Sequence, residues 1–145
     1  MKDNTLLVSA SLVYRKKAKL MEWFLIKQTE DQGWELPKTT ARTGESSVRA
    51  GIRAMAEQGG MRAKVLEEVG RSGGAAKVNG RAVTQRTIYY LMEYKDGGEV
   101  LGYSDYQWVE HSKALRTVGT KRDQQMIKDA KKLLKEIRAN RKKLK

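Results

Sequence analysis

The 145-residue chain has no cysteine, one proline, one phenylalanine and one histidine. Without thiols it can form neither a disulfide nor a thiolate metal site, and one imidazole cannot build a histidine-based zinc centre. No apolar run is long enough to span a bilayer and the N-terminus has no signal-peptide pattern, so a cytoplasmic protein with no membrane contact is expected. Acids are scarce as well: 17 Asp and Glu face 30 Lys and Arg, leaving a net charge of +13. No repeat or linker divides residues 1–145, and the length suits a single domain with a real core.

The positive charge is unevenly placed. Residues 121–145 hold eleven Lys or Arg against Asp123, Asp129 and Glu136, about +8 in this stretch alone. Such a surplus favours polyanions, and it makes RNA a candidate partner for residues 121–145; a solvated helix face with a basic tail is the plainer alternative.

Hydrophobic patterning gives the order of elements. Residues 5–14 are rich in β-branched and apolar side chains and read as a central strand, followed by a basic turn over 15–19 and a second strand over 21–27. Trp34-Glu35-Leu36 reads as a short strand stopped by Pro37. Residues 63–69 form another strand, 70–80 a flexible glycine-rich loop ending in an Asn79-Gly80 turn, and 81–94 a long strand. A strand over 103–110 leads through His111, read as a surface or capping residue, into a short helix. Thr120 then caps a terminal helix whose Met126, Ile127, Ala130, Leu133, Leu134 and Ile137 make one apolar stripe.

The most informative stretch is G-W-E-L-P-K-T-T-A-R-T-G-E-S-S-V-R-A-G-I-R-A-M-A-E-Q-G-G-M, residues 33–61. After Gly44, Glu45 and two serines can serve a helix N-terminus. Val48, Ile52 and Met55 recur at helical spacing and should face a core, and Gly59-Gly60 supplies a left-handed stop.

This stretch resembles the Nudix box. Glu45, Arg53, Met55, Glu57, Gly60 and Met61 stand where that pattern wants them, and W-E-L-P-K is similar to the lead-in of many members. Thr39 replaces the first glycine, Ala54 the glutamate of Arg-Glu, and Gln58 the second glutamate of Glu-Glu. The R-T-I-Y-Y-L run at 86–91 resembles the diadenosine tetraphosphate hydrolase branch. The resemblance implies an α/β/α sandwich with a mixed β-sheet and a long basic C-terminal helix. It also implies magnesium or manganese held by Glu57 with help from Gln58, and Arg53 bracing the loop through Glu45. Substrate contacts would come from Lys38 on phosphate and from Trp34, Tyr89 or Tyr90 at the nucleotide.

Two functions follow. One is a pyrophosphohydrolase-like protein acting on or binding nucleoside or dinucleoside polyphosphates, with metal-dependent hydrolysis weak or absent. Each missing carboxylate costs on the order of a hundredfold to ten-thousandfold in rate. The alternative is a non-catalytic nucleotide- or RNA-binding module that uses the basic terminal helix.

Overall fold

The computed structural model describes residues 5–143. Its strands are β1 (Thr5–Lys17), β2 (Leu20–Lys27), β3 (Lys38–Thr40), β4 (Met61–Val78), β5 (Arg81–Gly97) and β6 (Asp105–Glu110). Its helices are α1 (Ser47–Glu57), α2 (His111–Thr117) and α3 (Lys121–Lys143). The sheet runs β4-β5-β1-β2-β6, with β3 paired to β1 off that path. Among the described residues only β1 and β5 pair in parallel, so the sheet is mixed as the resemblance implied.

Alternation along β1 sorts the core onto two faces. Leu12 and Tyr14 point to the side covered by α2 and α3, where they join Trp23, Leu25, Leu91, Ile127 and Leu134. Val13 points to the side covered by α1, with Phe24, Ile26, Met55 and Met92. The terminal helix follows its sequence pattern: Met126, Ile127, Ala130 and Leu134 are buried against the sheet, and Thr120 Oγ1 accepts from Asp123 N at 3.1 Å.

Three local expectations give way to the structure. Residues 70–78 are not a loop: β4 runs through them to an Asn79-Gly80 turn with both φ angles positive, 53° and 78°. That turn matches the twist of the strands it joins, so pairing with β5 propagates through glycines that side-chain preference alone would leave irregular. Trp34–Leu36 contributes one isolated bridge, Ile26 to Glu35, whereas the paired strand is β3, just after Pro37. Pro37 lacks a donor, but its carbonyl accepts from Ser11 N at 2.9 Å and delivers the chain to β1. On α1, Ile52 is 42% exposed; the face against the sheet is Ser47, Ala50, Gly51, Ala54 and Met55. Small residues win there because the helix lies close. A Cβ on Gly51 would stand 2.8 Å from both Met92 Cε and Ser9 Oγ.

Candidate functional site

The box loop is built by local hydrogen bonds. Gly44 takes a positive φ of 79°, Glu45 N donates to the Arg42 carbonyl at 2.9 Å, and Arg42 N donates back to Glu45 Oε1 at 3.0 Å. Ser46 then caps α1, its Oγ accepting from Arg49 N at 3.2 Å. Glu45 itself is not a cap. It receives Arg53 as a fork, Nε to Oε2 at 2.8 Å and Nη2 to Oε1 at 2.9 Å, and Arg53 Nη2 also reaches the Thr40 carbonyl at 3.3 Å. Arg53, helped by the Arg42 amide, pulls the Glu45 carboxyl down to about 2, and Glu45 in turn holds the guanidinium charged.

Glu57 lies one helical turn beyond Arg53. Its carboxylate is 3.8 Å from Arg53 Nη1 and 3.8 Å from Arg42 Nη2, and its side chain is 57% exposed. Ala54 is buried in the apolar cluster under α1. Gln58 closes the helix: its N–H donates to the Ala54 carbonyl at 2.8 Å, and its carbonyl accepts from Gly102 N at 3.0 Å. Gly102 must be glycine-like in size, because a Cβ there would stand 2.4 Å from Gln58 Cα. Gly60 then turns with φ 60°, where a Cβ would come within 2.0 Å of the Glu99 carbonyl oxygen. Beside the loop, a cavity of about 420 Å³ opens between Arg42 to Glu45 and the start of β1.

The remaining sequence-predicted residues are split between faces. Tyr90 lies under α1, where its hydroxyl meets Ser47 Oγ at 2.5 Å; Tyr89 lies under α3, and both rings are buried. Burial holds the Tyr89 hydroxyl above its usual range. Lys38 donates to Asp123 Oδ2 at 3.0 Å, an acceptor that also takes Leu36 N at 3.2 Å. Trp34 packs on the α3 side with the Lys27 ammonium 5.1 Å from its ring centroid. Thus Glu45, Arg53 and Glu57 come together, whereas Lys38, Trp34 and Tyr89 gather on the opposite face.

Arg42 and Asp123 are the partners that sequence reasoning missed. Arg42 sits in a loop where spacing gives no direction for a side chain, and Asp123 meets Lys38 across 85 residues. Among the described residues no group of three or more His, Cys, Asp or Glu is placed to hold a metal ion, and no helix is long and apolar enough to cross a membrane.

Comparison with known proteins agrees with this architecture. The NUDIX domain family model matches residues 6–130. A candidate mutator protein, MutT4, of Mycobacterium tuberculosis (strain CDC 1551 / Oshkosh) is 34% identical over 79 residues. That match covers 52% of this chain and 32% of the relative, so the chain spans about a third of the curated relative's length. The crystal structure of the C. elegans Ap4A hydrolase superposes with a TM-score of 0.70 at 18% identity, covering 90% of this chain and 98% of the other. The NUDIX domain of Shewanella oneidensis NrtR, complexed with ADP ribose, gives 0.63 at 18% identity over 90% and 88% of the two chains. At these identities the structures share the fold.

Proposed function

Because this chain belongs to the Nudix family, we propose that it binds nucleoside polyphosphates, dinucleoside polyphosphates among them, and hydrolyses them slowly or not at all. The observation that carries the reading is Glu57, the one carboxylate left of three, standing 3.8 Å from each of two guanidinium groups. A divalent cation wants several hard oxygen ligands of uncompensated charge. Here Glu57 stands beside two guanidinium groups rather than other acids, Ala54 offers no ligand atom, and Gln58 offers a neutral amide. The residues present do not fit the magnesium or manganese centre that the resemblance implies.

The same groups suit phosphate. Arg42 is 65% exposed and lines the cavity beside the box loop, where its guanidinium can offer a fork of donors to phosphoryl oxygens. Glu57 competes weakly for it at 3.8 Å, so an incoming anion needs to break no short ion pair. Recognition in this reading comes from charge and shape, in a cytoplasmic protein exposed to nucleotide pools.

Turnover of diadenosine tetraphosphate in magnesium or manganese, compared between the wild type and Glu57→Gln, tests this directly. The two rates are expected to lie within about tenfold. A wild type faster than Glu57→Gln by more than about a hundredfold would restore Glu57 as a working metal ligand and overturn the reading.

A second reading, RNA contact through residues 121–145, is favoured by the sorting of charge on α3; residues 144 and 145 lie outside the described residues. Lys131, Lys135 and Arg138 line one cavity, whereas Asp129, Lys132 and Glu136 line another beside Glu68. A merely solvated basic helix needs no such segregation.

A further inference from the structure

Three cavities run end to end around the rim of the sheet at the C-terminal ends of β1 and β5. The first, about 330 Å³, lies between the β1–β2 turn, the start of α2 and the basic flank of α3. The second, about 470 Å³, shares Lys16 and Arg138 with the first. The third, about 270 Å³, shares Arg15 and Tyr94 with the second and reaches Tyr106 and Trp108. Adjacent through these shared residues, they line a groove-like rim from the α3 side of the sheet to the α1 side.

Charge and aromaticity are separated along this groove. Lys16, Lys19, Lys131, Lys135 and Arg138 all line the first cavity, and the one acid there, Glu110, is committed to capping α2 through Lys113 N at 2.9 Å. Among the described residues, no carboxylate forms an ion pair with any of these five cations. His111 adds a neutral donor. The Trp23 indole donates to its Nδ1 at 3.0 Å, which places the ring proton on Nε2, and burial together with Lys131 and Lys135 holds the ring's pKa down. The middle cavity adds to the shared Lys16 and Arg138 two cations that are answered, Lys95 by Glu93 and Arg15 by Glu22 at 2.9 Å. At the far end Arg15 lies 4.4 Å over the Trp108 ring, Tyr94 meets that ring edge-on at 5.3 Å, and Tyr106 is 44% exposed.

We propose that this groove binds single-stranded nucleic acid, with backbone phosphates in the cavity beside α3 and bases at the aromatic end. The inference deepens the RNA reading of α3 and rests on it. Five cations around a small cavity with one carboxylate leave a surplus of positive charge there, even with Arg138 5.9 Å over the Tyr14 ring, and an entering anion such as phosphate relieves their repulsion. A cavity away, Tyr106 is 44% exposed beside the packed Trp108 and Tyr94 rings and offers a face on which a base can stack. A single strand meets both demands, because its bases are free to stack while its backbone tracks basic groups. A duplex hides the base faces, and an isolated phosphate leaves the aromatic end unused.

The test is fluorescence anisotropy of a labelled twelve-nucleotide oligouridylate with the full chain over a series of salt concentrations. Lys131→Glu/Lys135→Glu/Arg138→Glu is compared with Lys121→Glu/Lys128→Glu/Lys132→Glu, which makes the same change of net charge at exposed positions of α3 outside the groove. The groove triple should weaken binding by at least about tenfold and lower the salt slope by about two, while the control weakens it by less than about threefold. Tyr106→Ala should weaken binding about fivefold or more and leave the slope unchanged. Lys131→Gln/Lys135→Gln relieves repulsion without touching Arg138, which lies over the Tyr14 ring, so it should melt no lower than the wild type and still weaken binding. Equal losses from groove and control triples would overturn the groove while leaving the RNA reading of α3 standing. Absence of oligouridylate binding even at low salt would remove both. Displacement of the oligomer by tripolyphosphate at equal phosphate concentration would overturn the strand and leave an isolated-phosphate site.

Discussion

The box loop and the α3 groove both concentrate charge, and they arrange it in opposite ways. Along the box, Glu45, Arg53, Glu57 and Arg42 alternate in sign, each within 3.8 Å of the next. In the groove, five cations surround one cavity whose single carboxylate is engaged in capping a helix. An alternating chain stabilises the loop that contains it and leaves little charge for a metal. A cluster of one sign costs stability and is relieved by a ligand of the opposite sign. The box loop therefore carries its charge in ion pairs with Arg42 exposed at the edge, and the surplus of positive charge lies on the other face.

The comparison breaks most sharply on shape. Gly60→Ala should cost about 3 kcal/mol or more, because a Cβ would stand 2.0 Å from the Glu99 carbonyl oxygen at a φ of 60°. Gly74→Ala, with nothing within 4 Å, should cost far less. Chemical denaturation of the two variants checks this. Next in size is Ala54→Glu, which restores a box glutamate but puts a carboxylate among Ile26, Met55 and Met92. It should destabilise by about 2–3 kcal/mol, read from the same denaturation curves. Recovery of activity at this site is therefore better sought through Gln58→Glu.

Smaller effects separate the two regions by sign. Arg53→Gln should lower the melting temperature, since it strips Glu45 of its forked partner. Lys131→Gln/Lys135→Gln should raise stability by a few tenths of a kcal/mol at low salt, an advantage that fades as salt is added. The pH dependence is the finest probe. Glu45 has a folded value of about 2 against an ordinary value of 4.5, so its contribution is complete above about pH 4.5 and is lost as the pH falls toward 2. Melting curves across that window should fall more steeply for the wild type than for Glu45→Gln.

Much of the fold was legible because it is written in local pattern. The stripe from Met126 to Ile137, the Asn79-Gly80 turn and the box register each act over a few residues, and each is where the sequence put it. Failures came where neighbours distant in sequence decide. Ile52 was expected inside by its spacing, but the close approach of α1 at Gly51 selects Ala50 and Ala54 instead. Residues 70–78 carry poor strand formers, yet β5 holds them in register. For the site, the bond between Arg53 and Glu45 followed from the resemblance. The flanking of Glu57 by Arg42, the capture of Lys38 by Asp123 and the rim groove all depend on chain segments that only folding brings together.

The most direct test of the central claim is the affinity of the full chain for diadenosine tetraphosphate, measured by calorimetry in EDTA and again in magnesium. If the box site recognises phosphate through Arg42 without a metal centre, the two dissociation constants should agree within about threefold. A tightening of about a hundredfold or more on adding magnesium would contradict the account, since it would mean that Glu57 and its neighbours assemble a metal site around the nucleotide after all.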